Sequence, residues 1–180
     1  NEIMKKSLPP IQGDRVTFIG STFLKYGEDK PYLNHCIVLN GCEPVNVENS
    51  YIETCEQERD VLMKWRELIV KEKPNFIIGY NTFGFDYKFL YDRADELNIR
   101  NHFNRFNCLQ TEKTESPLEY KKTKLASGDY ELYIPKMIGI VQIDLLGYFR
   151  REYNLDSYKL DYVSSYFISD KIKSYECKNN

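Results

Sequence analysis

The chain has 180 residues and a mass of 21.4 kDa, one domain's worth, enough to bury roughly two-thirds of the surface its unfolded form exposes. With 42% hydrophobic and 14% aromatic residues, and no apolar run near the roughly 20 residues a membrane helix needs, it reads as neither disordered nor membrane-spanning. A formal net charge of -2 excludes a surface that grips duplex phosphates by bulk charge, so any nucleic-acid contact has to be local.

The first predicted elements are a strand pair: "DRVTFIGSTFLKYG" and "YLNHCIVLNGC" are rich in β-formers and are separated by the turn cluster "GEDKP". "TCEQERDVLMKWRELIVKEKP" then predicts a helix. Thr54 and Gln57 stand at capping-box spacing, acidic residues fill the first turn, and Val61, Leu62, Trp65, Leu68 and Ile69 recur at the helical period, with Pro74 closing the element. The apolar run "NFIIGY", bounded by helices, predicts a short strand buried on both faces. Phe85, Phe89, Leu90, Ala94 and Leu97 make one apolar stripe, so a second helix is expected from Phe85 to Leu97.

The stretch from Asn101 to Pro135 is polar and weakly periodic, and it offers one hairpin in "ASGDYELYI" with Ser-Gly-Asp at the tip. "MIGIVQID" returns as a strand and "LLGYFRREY" as a short helix. "SYKLDYVSSYFI" follows as another helix with Leu160, Val163 and Phe167 in register. This order, without an internal repeat or a low-complexity linker, points to an α/β fold in which a mixed sheet is flanked by helices. The five cysteines (Cys36, Cys42, Cys55, Cys108 and Cys177) are odd in number, scattered and without a CxxC. They read as thiols in a reducing, intracellular compartment. The chain opens on Asn1 and stops in the polar run "KSYECKNN", so both ends read as cuts in a longer polypeptide.

"IIGYNTFGFDYKFL" is strand, turn and helix, and it puts Asp86 just past the carboxyl end of a strand, where the active sites of open α/β sheets gather. The plainer reading makes Asp86 a charge in a helix first turn, favoured by about 0.3–1 kcal/mol, with Asn81 or Thr82 as a turn or cap residue. The functional reading makes it one of several carboxylates on divalent ions. Hard ions such as Mg²⁺ take oxygen ligands, and a pair about 3.5–4 Å apart can activate water and stabilise the leaving oxygen of a phosphodiester. Tyr80, Phe83 and Phe85 could stack unpaired bases, although aromatics at a strand end are core more often than a stacking platform.

"KPNFIIGYNTFGFDYKFLYDRADEL" resembles the second exonuclease motif of family B DNA polymerases, a GYN followed by FD and a helix. "DRVTFIGSTFLKYGE" is similar to the strand after that family's first motif. "GIVQIDLLGYFRREYNLDSYKLDYVSSYF" is similar to the segment before its third motif, so the resemblance runs over nearly the whole chain. Its flavour is that of the delta-like polymerases, including those of large DNA viruses. The resemblance implies a ribonuclease-H-like domain that removes 3′-terminal nucleotides with two Mg²⁺ or Mn²⁺ ions, residues 1–180 forming the interior of one such domain in a larger polymerase.

By the same resemblance Asp86 is the catalytic metal ligand of the second motif. Asn81, Tyr80 and Phe85 are the nucleic-acid-binding candidates, with Phe85 also packing the helix. Asp144 in "VQID" is a possible secondary residue, better placed as a helix cap than as a ligand. The implied partners are the single-stranded 3′ end of a primer, the remaining polymerase domains and a processivity factor, at a nuclear or viral replication site and without a membrane.

The family's first motif, a DxE on a hydrophobic strand, is missing. The D-x-E at Asp129 and Glu131 comes after the second motif, and "YFISD", Tyr166 to Asp170, is a misplaced match to the third. One of the four expected metal carboxylates is therefore present, and the chain alone is expected to be inert. The alternatives are a catalytically silent ribonuclease-H-like nucleic-acid-binding or scaffold domain, and an unrelated ribonuclease-H-like nuclease acting on RNA.

Overall fold

The computed structural model describes residues 13–106, 115–125 and 128–176, with residues 125 and 169–176 described by backbone alone. Three strands come first: β1 (Phe18–Phe23), β2 (Leu33–Leu39) and β3 (Ser50–Cys55). β1 runs antiparallel to β2 with Ile19 opposite Ile37, and β3 lies parallel on the other edge of β2 with Thr54 opposite Val38. Helix α1 (Glu58–Glu72) follows, then β4 (Phe76–Gly79), a wide π-type turn (Thr82–Asp86) and α2 (Tyr87–Glu96). A four-residue α3 (Arg100–Phe103) precedes the hairpin of β5 (Leu118–Leu125) and β6 (Gly128–Pro135). The chain ends with β7 (Val141–Asp144), α4 (Leu145–Glu152) and α5 (Leu160–Glu176).

β3 corrects the expectation of a capping box. Thr54 is committed to the ladder with β2, and Gln57, not Thr54, stands at the start of α1, with extended backbone and no side-chain cap bond. The free edge of β2 offers "SYIETC" a row of backbone hydrogen bonds, which outweighs a single cap worth about 1 kcal/mol. The expected mixed sheet is also divided. Among the described residues β1, β2 and β3 form one ladder, β4 and β7 a parallel pair, and β5 and β6 an antiparallel pair.

β4 is not buried on both faces. Ile77 packs against the core, but Phe76 and Ile78 are 57% and 58% exposed, so "FIIG" behaves as a half-covered strand whose alternate side chains face opposite ways. The hairpin tip is displaced by one step, since Gly128 and Asp129 already pair with Leu125 and Lys124, while residues 126–127 lie outside the described residues. In α5 Val163 is buried, Phe167 meets Phe149 and Tyr153, and Leu160 is left 55% exposed.

The core lies between the first sheet and helices α1, α2 and α3. Ile37, Val61, Leu62, Tyr91, Phe103 and Phe106 are wholly buried, and Trp65 sits edge-on to Phe106 with ring centroids 5.3 Å apart. One buried ion pair crosses this layer. Arg93 of α2 donates from Nε and Nη2 to both Glu58 oxygens at 2.8 and 2.6 Å, and Glu58 Oε1 also accepts the Val16 amide at 2.9 Å. α1, α2 and the entry to β1 are thereby tied at one point. Cys36, Cys42 and Cys55 are free thiols, while Cys108 and Cys177 lie outside the described residues. Among the described residues no helix is long and apolar enough to cross a membrane.

Candidate functional site

The parallel pairing of β4 and β7 sets Gly79 opposite Asp144, so two chain reversals leave the sheet side by side at its carboxyl end. The first must turn β4 into α2 within a few residues. Asn81 makes the reversal in the left-handed region (φ 61, ψ 20), which Asn tolerates better than most residues with a side chain. Its carbonyl accepts the amides of Gly84 and Phe85, each at 3.1 Å, and the Tyr87 amide reaches back five residues to the Thr82 carbonyl. Gly84 leaves space for the Asn81 side chain, whose amide oxygen would have to turn away from a Cβ placed there. Single π-type turns of this kind recur at functional sites, where they re-aim one side chain.

The winding points the amides of Asn81 and Phe83 across to β7. Asp144 Oδ1 accepts from Asn81 at 2.8 Å and Oδ2 accepts from Phe83 at 2.9 Å. Oδ1 also accepts the Leu146 amide at 2.9 Å, so Asp144 caps α4 with the same carboxylate.

Asp86 closes the π-type turn with helical backbone angles, and its side chain makes no cap bond to α2. The residue is exposed, yet the surrounding protein partly desolvates its carboxyl. That desolvation pushes its pKa up, the hydrogen bond from its own amide opposes the shift, and the negative charge of Asp144 adds to it. The phenol of buried Tyr87 is pushed up by burial first and then by the charges of Asp86 and Asp144. Neither carboxylate has a Lys, Arg or His ion-pair partner among the described residues.

Asn81 and Phe85 are exposed beside Asp86, and Phe85 stacks on Phe89 at 5.7 Å. Tyr80 is engaged by the protein. Its hydroxyl donates to the Tyr158 carbonyl at 2.7 Å, and its ring lies 6.4 Å from that of Phe149. Arg150 of α4, which the sequence reading did not single out, places its guanidinium 4.3 Å over the Tyr130 ring of β6 and 5.7 Å from that of Tyr158. Asp129 and Glu131 are exposed on the hairpin, and Asp129 pairs with Lys122 at 3.2 Å. The Asp170 side chain lies outside the described residues.

An uncompensated, partly desolvated carboxylate with a second negative charge nearby suits a hard divalent cation. Among the described residues, however, no three His, Cys, Asp or Glu side chains converge to enclose one. The residues present fit one corner of a divalent-ion site and do not close it. The sequence signal for Asp86 was its place after a strand. The Asp144 cap on α4 was read from the sequence, but its bonds to the Asn81 and Phe83 amides have no such signal, because those partners are 63 and 61 residues away.

The model of the DNA polymerase family B exonuclease domain matches residues 2–163. The DNA polymerase of Phaeocystis pouchetii virus is 38% identical to the chain, over 96% of the chain and 18% of its own length. That of Pyramimonas orientalis virus is 38% identical over 96% of the chain and 14% of its own length. The DNA polymerase delta catalytic subunit of Candida albicans is 35% identical over 93% and 16%. The chain thus spans less than a fifth of the length of these curated relatives.

Proposed function

The chain belongs to the exonuclease domain of family B DNA polymerases, a ribonuclease-H-like α/β fold, and from that premise we propose that it serves proofreading within a DNA-directed DNA polymerase. The substrate is the single-stranded 3′ end of a primer, and the reaction is hydrolysis of its terminal phosphodiester. The observation that carries this reading is Asp86. It is held at the carboxyl end of a parallel strand pair and is spent on neither a helix cap nor a cation.

Mg²⁺ or Mn²⁺, two ions in the complete site, would supply an activated water and stabilise the leaving oxygen. The chain's own part is to present Asp86 as a ligand at a fixed point. Asn81 and Phe85 line the approach as polar and stacking surfaces for the frayed strand, and Tyr80 braces the turn behind them. The other ligands and the polymerising domains belong to the rest of the protein, which acts with a processivity factor as a separate partner at a nuclear or viral replication site.

The test is Asp86→Ala in the full-length protein, assayed in parallel for mismatch excision and primer extension. Removing a group that merely orients a metal ligand typically costs about 10- to 100-fold, so loss of a ligand itself should reduce excision by at least about 100-fold. Incorporation should stay within about two-fold, because polymerisation uses ions held elsewhere. Equal loss of both activities would reduce Asp86 to a structural residue. Unchanged excision would remove Asp86 from the reaction, and a parent protein that itself excises nothing would favour the catalytically silent, nucleic-acid-binding alternative.

A further inference from the structure

Resting on the reading of Asp86 as a metal ligand, we propose that Asp144 is the positioning residue of the site: its carboxylate clamps the turn that aims Asp86. Asn81 in the left-handed conformation, followed by two residues of the π-type turn, makes a concavity of backbone amides of the kind that receives anions. The anion it receives is an internal one. Asp144 spans the Asn81 and Phe83 amides with its two oxygens and holds the Leu146 amide with the first.

An ionised carboxylate has about four acceptor sites, and three of these are taken by backbone amides. The group is therefore largely used up by protein, and its remaining capacity is one lone pair on Oδ2. Asp86 closes the turn that opens after Asn81, and the Gly84 and Phe85 amides between them are tied back to the Asn81 carbonyl. The clamp on the first residues of the turn therefore sets where the last one points. A single side chain couples the carboxyl ends of β4 and β7, the start of α4 and the placement of Asp86.

Two variants separate this role from helix capping and from charge. Asp144→Ser keeps a good cap for α4 but is too short to reach the turn. Asp144→Asn keeps the volume and one acceptor but loses the charge. Both are made in the full-length protein beside Asp86→Ala. Each is measured by amide hydrogen exchange over residues 77–90 and 143–152, by thermal melting, and by excision against divalent-ion concentration.

The expected result for Asp144→Ser is fast exchange in the turn, near-normal exchange in α4, and excision reduced by about 10- to 100-fold. More divalent ion should be needed for half-maximal rate, with primer extension unchanged. Asp144→Asn should lie between it and the parent in both turn protection and excision.

Normal excision in Asp144→Ser, with Asp86→Ala inactive, would overturn the clamp while leaving the proposed function intact. Excision that follows the melting temperature and not turn protection would make the residue merely structural, and so overturn it too. So would equal loss of excision in both variants with the turn still protected in Asp144→Asn, because charge would then suffice. Loss as complete as in Asp86→Ala, and insensitive to added divalent ion, would make Asp144 a direct ligand. If Asp86→Ala itself excises normally, the underlying reading fails, and turn exchange alone still decides whether the clamp exists.

Discussion

Glu58 is charged, yet only 7% exposed, one of the few buried charged residues among the described residues. Burial pushes its carboxyl up, but the hydrogen bonds from Arg93 and the Val16 amide win, and its pKa is held below the ordinary carboxylate value. In the unfolded chain Glu58 therefore takes up its proton first as pH falls. The stability it contributes is complete above about pH 4.3, and it is lost as pH drops through the lower, folded value. Urea unfolding between pH 6 and 3 should show this loss, and Glu58→Gln should flatten it. Arg93→Met should cost about 3–5 kcal/mol, since it strands a buried carboxylate. Asp86 has the opposite sign: its folded pKa is raised, so its ionised form burdens the fold above its ordinary pKa. Melting at pH 7 in a chelator should accordingly find Asp86→Asn no less stable than the parent, and a marked fall in melting temperature would argue that Asp86 supports the fold.

Among the elements, α1 shows what the sequence pattern leaves improvable. Its apolar stripe of Val61, Leu62, Trp65, Leu68 and Ile69 is buried as the period demands, but Gln57 begins the helix with no cap bond. Gln57→Asp should supply a side-chain acceptor to the first-turn amides and stabilise the protein by about 1 kcal/mol, read as a raised denaturation midpoint with unchanged slope. An unchanged midpoint would mean that solvent already satisfies those amides fully. α2 differs, because the stripe from Phe85 onward was read as a helix from its first apolar residue, whereas the regular helix starts at Tyr87. Phe85 lies in the wide turn with its ring on Phe89, so an apolar stripe marks a helix face without marking where the regular hydrogen bonds begin.

For the whole molecule, β1 pairs only with β2 and β4 only with β7 among the described residues, and apolar side chains stay open on Phe18, Phe76, Ile78 and Val141. The described residues also hold no cluster of three metal-binding side chains. The 180-residue chain taken alone should therefore show no 3′-end trimming of single-stranded DNA with Mg²⁺ or Mn²⁺. Trimming that depends on metal and disappears with Asp86→Ala would show that the remaining ligands lie within the chain after all.

Runs of β-forming and apolar residues between turn signals, and the helical period, were enough to find β1, β2, β4, β7 and the stripes of α1 and α2, because those signals are local in the chain. The place of Asp86 after a strand was legible for the same reason, and the GYN and FD blocks pointed to the family. β3 escaped, because its residues are held by the free edge of β2 and not by a pattern of their own. The exposure of Phe76 and Ile78 escaped as well, since an apolar run does not record how many faces of a strand are covered. Least legible was Asp144. A cap can be read from the residues that follow it, but two amides more than sixty residues upstream become its partners only once β4 and β7 lie in register, Gly79 beside Asp144. Hydrogen bonds act over about 3 Å of space whatever the separation in sequence, so tertiary structure alone decided which carboxylate is held by backbone amides and which is left open.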